Sequence, residues 1–257
     1  SVTGVQTCAL PIFENAKQFW KKYPTVSEAI RSLDQFKLSI LTDWNNQVDF
    51  DISQNPFTEA ELNRCTERKR QRVLTQPAIA YGATLLATLW SDEYLLHFHI
   101  GDGLIVRVDA KLQIEECVPN EADYGGSITD SLCQEDSFQR MRASIQAPSD
   151  TIAMVLCSDG VINGYQSLER YRHFFILKVL YERYRRTKET TQTWVDQTVH
   201  LIANAYAGSD DSTVAIAFYD TAPCQQLEFY PEIKIRTLLE LENTNPLLVE
   251  EIGRAHV

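Results

Sequence analysis

Apolar side chains recur every third or fourth position from Val26 through Ala29, Ile30, Leu33, Phe36, Ile40 and Leu41 to Trp44, the spacing of one helix face. Thr25-Val-Ser-Glu28 heads that run as a capping box, in which hydroxyl and carboxylate each satisfy an orphan backbone N–H. The pattern predicts a long amphipathic helix behind a short polar and aromatic stretch. A second capping box, Thr58-Glu-Ala-Glu61, predicts a helix through the basic run Arg64 to Arg72 that ends before Pro77. From Ala80 the period changes. ATLLATLW, EYLLHFHI, LIVRVD and LQIEEC are short apolar and β-branched runs broken by Ser-Asp, Gly-Asp-Gly and Ala-Lys, and they predict consecutive antiparallel strands.

Residues 118 to 150 are rich in Asp, Gly, Ser and Pro and read as a long irregular loop of the kind that shapes substrate access. TIAMVLCSDG then predicts a buried strand ending in an acidic turn. Helical patterns follow over Ser167 to Arg186 and Glu189 to Tyr206, STVAIAFY is a last strand, and residues 223 to 250 form a weakly patterned tail. Helices in blocks around strands joined by tight turns indicate an α+β fold with antiparallel sheets, not alternating βαβ winding.

Charge narrows the functions available. Lys and Arg number 24 against 35 Asp and Glu, for a net charge of −11, which disfavours binding to a phosphate backbone and argues for no nucleic-acid partner. No apolar run approaches the roughly 20 residues of a membrane span, so no membrane partner is expected. The ends read as foreign to the domain. EIGRAHV, residues 251–257, back-translates as gag-atc-gga-aga-gca-cac-gtc, which resembles a short-read sequencing adapter. SVTGVQTCALPI, residues 1–12, resembles the reverse complement of the same family. Setting Cys8 aside leaves Cys65, Cys117, Cys133, Cys157 and Cys224, with no CxxC pair. That spacing speaks against a zinc ribbon or a disulfide framework and for a reducing cytoplasm.

Three acidic turns adjoin apolar strands: Gly101-Asp102-Gly103, Ser158-Asp159-Gly160 and Ser209-Asp210-Asp211-Ser212-Thr213. Any one of them is most simply a turn residue bonded to its own backbone. Three together make a set of hard oxygen donors on rigid strand ends, of the kind Mg²⁺ or Mn²⁺ prefers. His97-x-His99 shares one strand face and reads as satisfied strand histidines before a metal pair. The basic run 64 to 72 reads as a solvated helix face before an anionic partner surface. The stripe Tyr171, Phe174, Tyr181 and Tyr184 reads as helical packing.

These motifs, in this order, resemble the metal-dependent serine/threonine protein phosphatases of the 2C class, with wording most like the bacterial branch. YGATLLATLW is similar to the family's Gly-x-Thr strand, LLHFHIGDGLIVRVD to its paired strands around Gly-Asp, TIAMVLCSDGVING to its Ser-Asp-Gly strand, and GSDDSTVAIAFY to its closing strand. The resemblance implies a sandwich of two antiparallel β-sheets flanked by helices on both faces, over residues 13–222, incomplete at the N-terminus. It implies hydrolysis of phosphoserine and phosphothreonine on proteins by a water activated by two Mn²⁺ or Mg²⁺ ions, with a weaker third, opposing a serine/threonine kinase. Asp159 and Asp210 match carboxylates of the first ion, and Asp102 matches an acidic residue of the third. Asn163 stands where many members carry another Asp, and a neutral amide there weakens that site.

The family's Asp-Gly-His-Gly segment, whose Asp bridges the two ions, does not occur in the sequence. Its expected place is before residue 13, so the chain as written is expected to be inactive. That absence and Asn163 keep open the alternative of a pseudophosphatase or sensor that binds a partner protein without turnover. A cysteine-based phosphatase needs an arginine six residues after its nucleophile, and the five cysteines are followed there by Gln71, Asp123, Gln139, Asn163 and Tyr230, which excludes that chemistry. Cys157, inside a predicted strand, reads as a small core residue.

Overall fold

The computed structural model describes residues 9–119, 129–148, 150–165, 175–185, 188–205 and 212–218. Asp210, Asp211, Cys224, His173, the first half of the helical pattern that begins at Ser167 and the tail 223–250 lie outside the described residues. The chain divides into two compact units, residues 1–103 with 117–149, and residues 104–116 with 150–257.

The first unit is built on helix α2 (Val26–Gln54). Its capping box forms as the sequence predicts: Glu28 N–H donates to Thr25 Oγ1 at 3.4 Å and Thr25 N–H donates to the Glu28 carboxylate at 3.2 Å. Ala29, Phe36, Ile40, Trp44 and Val48 line its buried face. They pack with Leu96, Phe98 and Ile100 of a three-stranded antiparallel sheet in the order β1 (Leu85–Trp90), β2 (Leu95–Ile100), β5 (Arg142–Gln146). Phe36 meets Phe98 edge to face at 5.0 Å between centroids, a geometry worth about 0.5–1.5 kcal/mol beyond the area buried.

The polar and aromatic stretch before Thr25 forms helix α1 (Ala9–Lys22), which buries Ala16 and Phe19. Pro11 falls in its first turn, where proline is tolerated. Three expectations are corrected in this unit. The single helix expected from Thr58 through the basic run is two, α3 (Glu59–Leu62) and α4 (Glu67–Thr75). Thr66 breaks it by acting as a fresh N-cap, its hydroxyl accepting from Lys69 N–H at 3.4 Å. Segment 118 to 150 is not wholly irregular, since it contains α5 (Ser137–Arg140) and β5. Strand β5 was hidden because only Ala143 and Ile145 supply its apolar face. Finally, β2 and the next strand are not paired despite the three-residue turn between them.

That next strand, β3 (Leu104–Asp109), opens the second unit. Its antiparallel sheet runs β4 (Ile114–Glu116), β3, β6 (Thr151–Cys157), β7 (Val214–Phe218). Val106, Val108, Ala153, Val155 and Cys157 pack in one core with helices α6 (Asp159–Asn163), α7 (Leu177–Arg185) and α8 (Lys188–Ala205). The acidic turn expected after β6 is the first turn of α6, with Ser158 as N-cap. A Cβ on Gly164, just past α6, would lie 2.2 Å from Ile202 Cγ2, so only a glycine lets α6 seat on α8 this closely. Cys157 is buried in this core, as the sequence predicts. Two antiparallel sheets with blocks of helices are the α+β architecture the sequence predicts.

Candidate metal centre

Asp102 is the middle residue of the turn that leaves β2, and it is half-buried. Gly101 takes φ +118°, and a Cβ there would fall 2.5 Å from Thr84 Cγ2, so neither the backbone nor the space admits another residue. The turn is held from two sides. Arg142 on β5 donates through Nη2 to the Gly101 carbonyl at 3.2 Å, and Thr129 donates its hydroxyl to Asp102 Oδ2 at 2.5 Å.

Behind this turn lies a buried polar face of β2. His97 and His99 are fully buried; Thr88 Oγ1 lies 3.0 Å from His97 Nδ1, and Arg142 Nη2 lies 3.2 Å from His99 Nδ1. A guanidinium only donates, so His99 Nδ1 accepts and the ring is neutral with its proton on Nε2. Burial first, and then the Arg142 cation, push the His99 imidazolium down to about 4, against the pull of Asp102 and of the Gly101 and Val118 backbone. Each ring has a polar neighbour at Nδ1, whereas His99 Nε2 is buried without a hydrogen-bond partner. The covering segment is tied on by Ser144 Oγ to the Cys117 carbonyl at 2.6 Å and Arg142 Nη1 to the Pro119 carbonyl at 2.9 Å.

Asp159 opens α6 in the second unit, half-buried, with Oδ1 accepting from Gly160 N–H at 2.9 Å. Asn163 closes the same helix and is exposed. The residue before Asp159 is clasped to the residue before β7: Ser158 N–H donates to the Thr213 carbonyl at 3.0 Å, and Thr213 N–H donates to Ser158 Oγ at 2.9 Å. Thr213 ends the acidic motif that contains Asp210.

Among the described residues no three His, Cys, Asp or Glu side chains gather as a metal-ligating group. The donors that are described suit a hard divalent cation all the same, being half-buried carboxylates on strand or helix ends. The sequence located Asp102, Asp159 and Asn163 but gave no sign of Thr129 or Arg142. These stand 27 and 41 residues from their partners in the turn, beyond any local spacing rule.

A family model for protein phosphatase 2C matches residues 1–199. Solved structures similar to the chain include three bacterial proteins. PppA, a key regulatory component of T6SS in Pseudomonas aeruginosa, is 13% identical, with 85% of this chain and 82% of that one covered and a TM-score of 0.47. The Mycobacterium tuberculosis serine/threonine phosphatase PstP/Ppp is 17% identical over 60% of this chain and 71% of that one, TM-score 0.40. Serine/threonine phosphatase Stp1 from Staphylococcus aureus is 14% identical over 65% and 71%, TM-score 0.38. No curated protein matches the sequence.

Proposed function

The chain belongs to the protein phosphatase 2C family, and from that membership we propose that the gene product is a Mn²⁺- or Mg²⁺-dependent hydrolase of phosphoserine and phosphothreonine on proteins, acting in the cytoplasm against a serine/threonine kinase. Asp159 and Asp210 would hold the first ion, and Asp102 would serve a weaker one. The observation that carries this reading is the clasp between Ser158 and Thr213. Asp159 follows one end of it, and Asp210 precedes the other by three residues. The clasp supports a reading in which the two motifs serve one site.

Bound divalent cations would supply the acid chemistry, lowering the pKa of a water and neutralising phosphoryl charge. The chain's own contribution is placement. Asp159 is fixed by the docking of α6 on α8 at Gly164, and Asp102 by Thr129 and by the Arg142 clamp on Gly101. A carboxylate held in one orientation loses little entropy when it takes up a cation.

A second reading is favoured by one observation: Asn163 stands where a further carboxylate is expected. A pseudophosphatase or sensor would keep the fold and bind a partner protein without turnover. The two separate on one assay, phosphate release from a phosphothreonine peptide with Mn²⁺ by the gene product read from its own start codon. Metal-dependent release supports the enzyme. Peptide binding without release supports the sensor.

A further inference from the structure

We propose that Thr129 is a positioning residue for Asp102, fixing the orientation in which that carboxylate meets its cation; the inference rests on the metal-site reading above. The bond from Thr129 Oγ1 to Asp102 Oδ2, at 2.5 Å, joins residues 27 apart in sequence. It is a charge-assisted O–H···O⁻ contact in the short range such bonds adopt. A carboxylate offers about four acceptor sites, and this hydroxyl takes one of them, leaving acceptor capacity for a ligand.

Asp102 needs such a partner because it lies between two glycines on a turn whose first residue has a positive φ. Nothing in its own backbone neighbourhood restricts its rotamer. Thr129 can impose one because it is itself held. Asp130, next in sequence, is buried and accepts from Arg140 Nη1 at 2.6 Å. Ser131 is tied to Ala83 twice, accepting from the amide at 2.9 Å and donating to the carbonyl at 3.1 Å, and Leu132 N–H adds a third bond to that carbonyl at 2.9 Å. Ala83 stands at the head of β1, which pairs with β2, the strand that carries Asp102 at its end. The bond therefore closes a loop of anchors around the turn, and a β-branched side chain, stiff at χ1, suits it better than serine would.

Partners that orient a metal ligand typically cost 10- to 100-fold in affinity when removed. The test is a Mn²⁺ titration of the 257-residue chain, with free Mn²⁺ read by its aqueous electron paramagnetic resonance signal, beside thermal melting without metal. T129V, which keeps the shape and removes the hydroxyl, is expected to weaken the site that D102N abolishes by about 10-fold or more, while T129S stays within about 3-fold of wild type by keeping the donor. T129A takes the place of T129V if the valine variant does not fold. If T129V melts lower but binds Mn²⁺ as wild type does, Thr129 is only structural and the proposal fails. Equal weakening in T129V and T129S also overturns it, since packing rather than the hydroxyl would then matter. Wild type and D102N binding Mn²⁺ alike, or wild type binding none, would instead contradict the metal-site reading on which the proposal stands.

Discussion

Acidification should destabilise this fold through His99, and the size of the effect follows from its surroundings. The ring is fully buried and faces the Arg142 guanidinium, which together hold its folded pKa at about 4, against a reference of 6.5. A group whose folded pKa is lowered in this sense costs nothing above the reference value. As pH falls from 6.5 towards 4 the unfolded chain takes up a proton that the native ring refuses, so stability is lost across that window. With these two values the loss is about 2 kcal/mol at pH 5 and about 3 kcal/mol at pH 4. Protonation also turns Nδ1 into a donor facing a donor, breaking the contact to Arg142 and loosening its clamp on Gly101. Urea unfolding of wild type and H99N at pH 7 and pH 5 isolates this contribution, because the other titrating groups are shared and asparagine still offers an acceptor. Wild type should lose about 2 kcal/mol more than H99N between the two pH values. An equal loss in both proteins would refute the reasoning.

Two substitutions probe the second unit. K178M removes the cation that pairs with Glu182, a residue only 1% exposed; the stranded carboxylate should cost about 3–5 kcal/mol by urea unfolding, and K178M/E182L should recover most of it. G164A forces a methyl to within 2.2 Å of Ile202 Cγ2, where carbon atoms need about 3.5–4.0 Å; it should cost about 1–3 kcal/mol and weaken Mn²⁺ binding in calorimetric titration, because the helix that is displaced begins at Asp159.

Helix α2 and strands β1 to β3 were readable from the sequence because packing and period agree there. In α2 the buried positions Ala29, Ser32, Phe36, Ile40, Trp44 and Val48 recur every third or fourth residue, and β2 and β3 have both faces or one full face buried. Where the apolar face was thin, the pattern was silent. Strand β5 shows only two apolar side chains, Ala143 and Ile145. The split of α3 from α4 was legible in Thr66, which has the cap residue type, but the basic run on either side masked it. Sheet membership was legible only between some chain neighbours: β1 pairs with β2 and β3 with β4 as consecutive antiparallel strands, but the Gly101-Asp102-Gly103 turn looks like a hairpin while β2 and β3 pair with β5 and β6, and no local rule encodes those long-range partners. For the same reason the acidic turns were found by type and place, whereas Thr129 and Arg142, which hold one of them, emerged only from the structure.

The central claim, that carboxylates at these turns serve metal-dependent phosphoester hydrolysis, is tested most directly by one activity measurement on the gene product read from its own start codon. Phosphate release from a phosphothreonine peptide is followed in Mn²⁺, after chelation, and in D159N, whose amide keeps the shape and removes the charge. Loss of a direct ligand should exceed the 10- to 100-fold cost of losing an orienting partner, so the account predicts turnover that disappears on chelation, returns with Mn²⁺ and falls by at least about 100-fold in D159N. Turnover that survives chelation, or that D159N leaves unchanged, would contradict it.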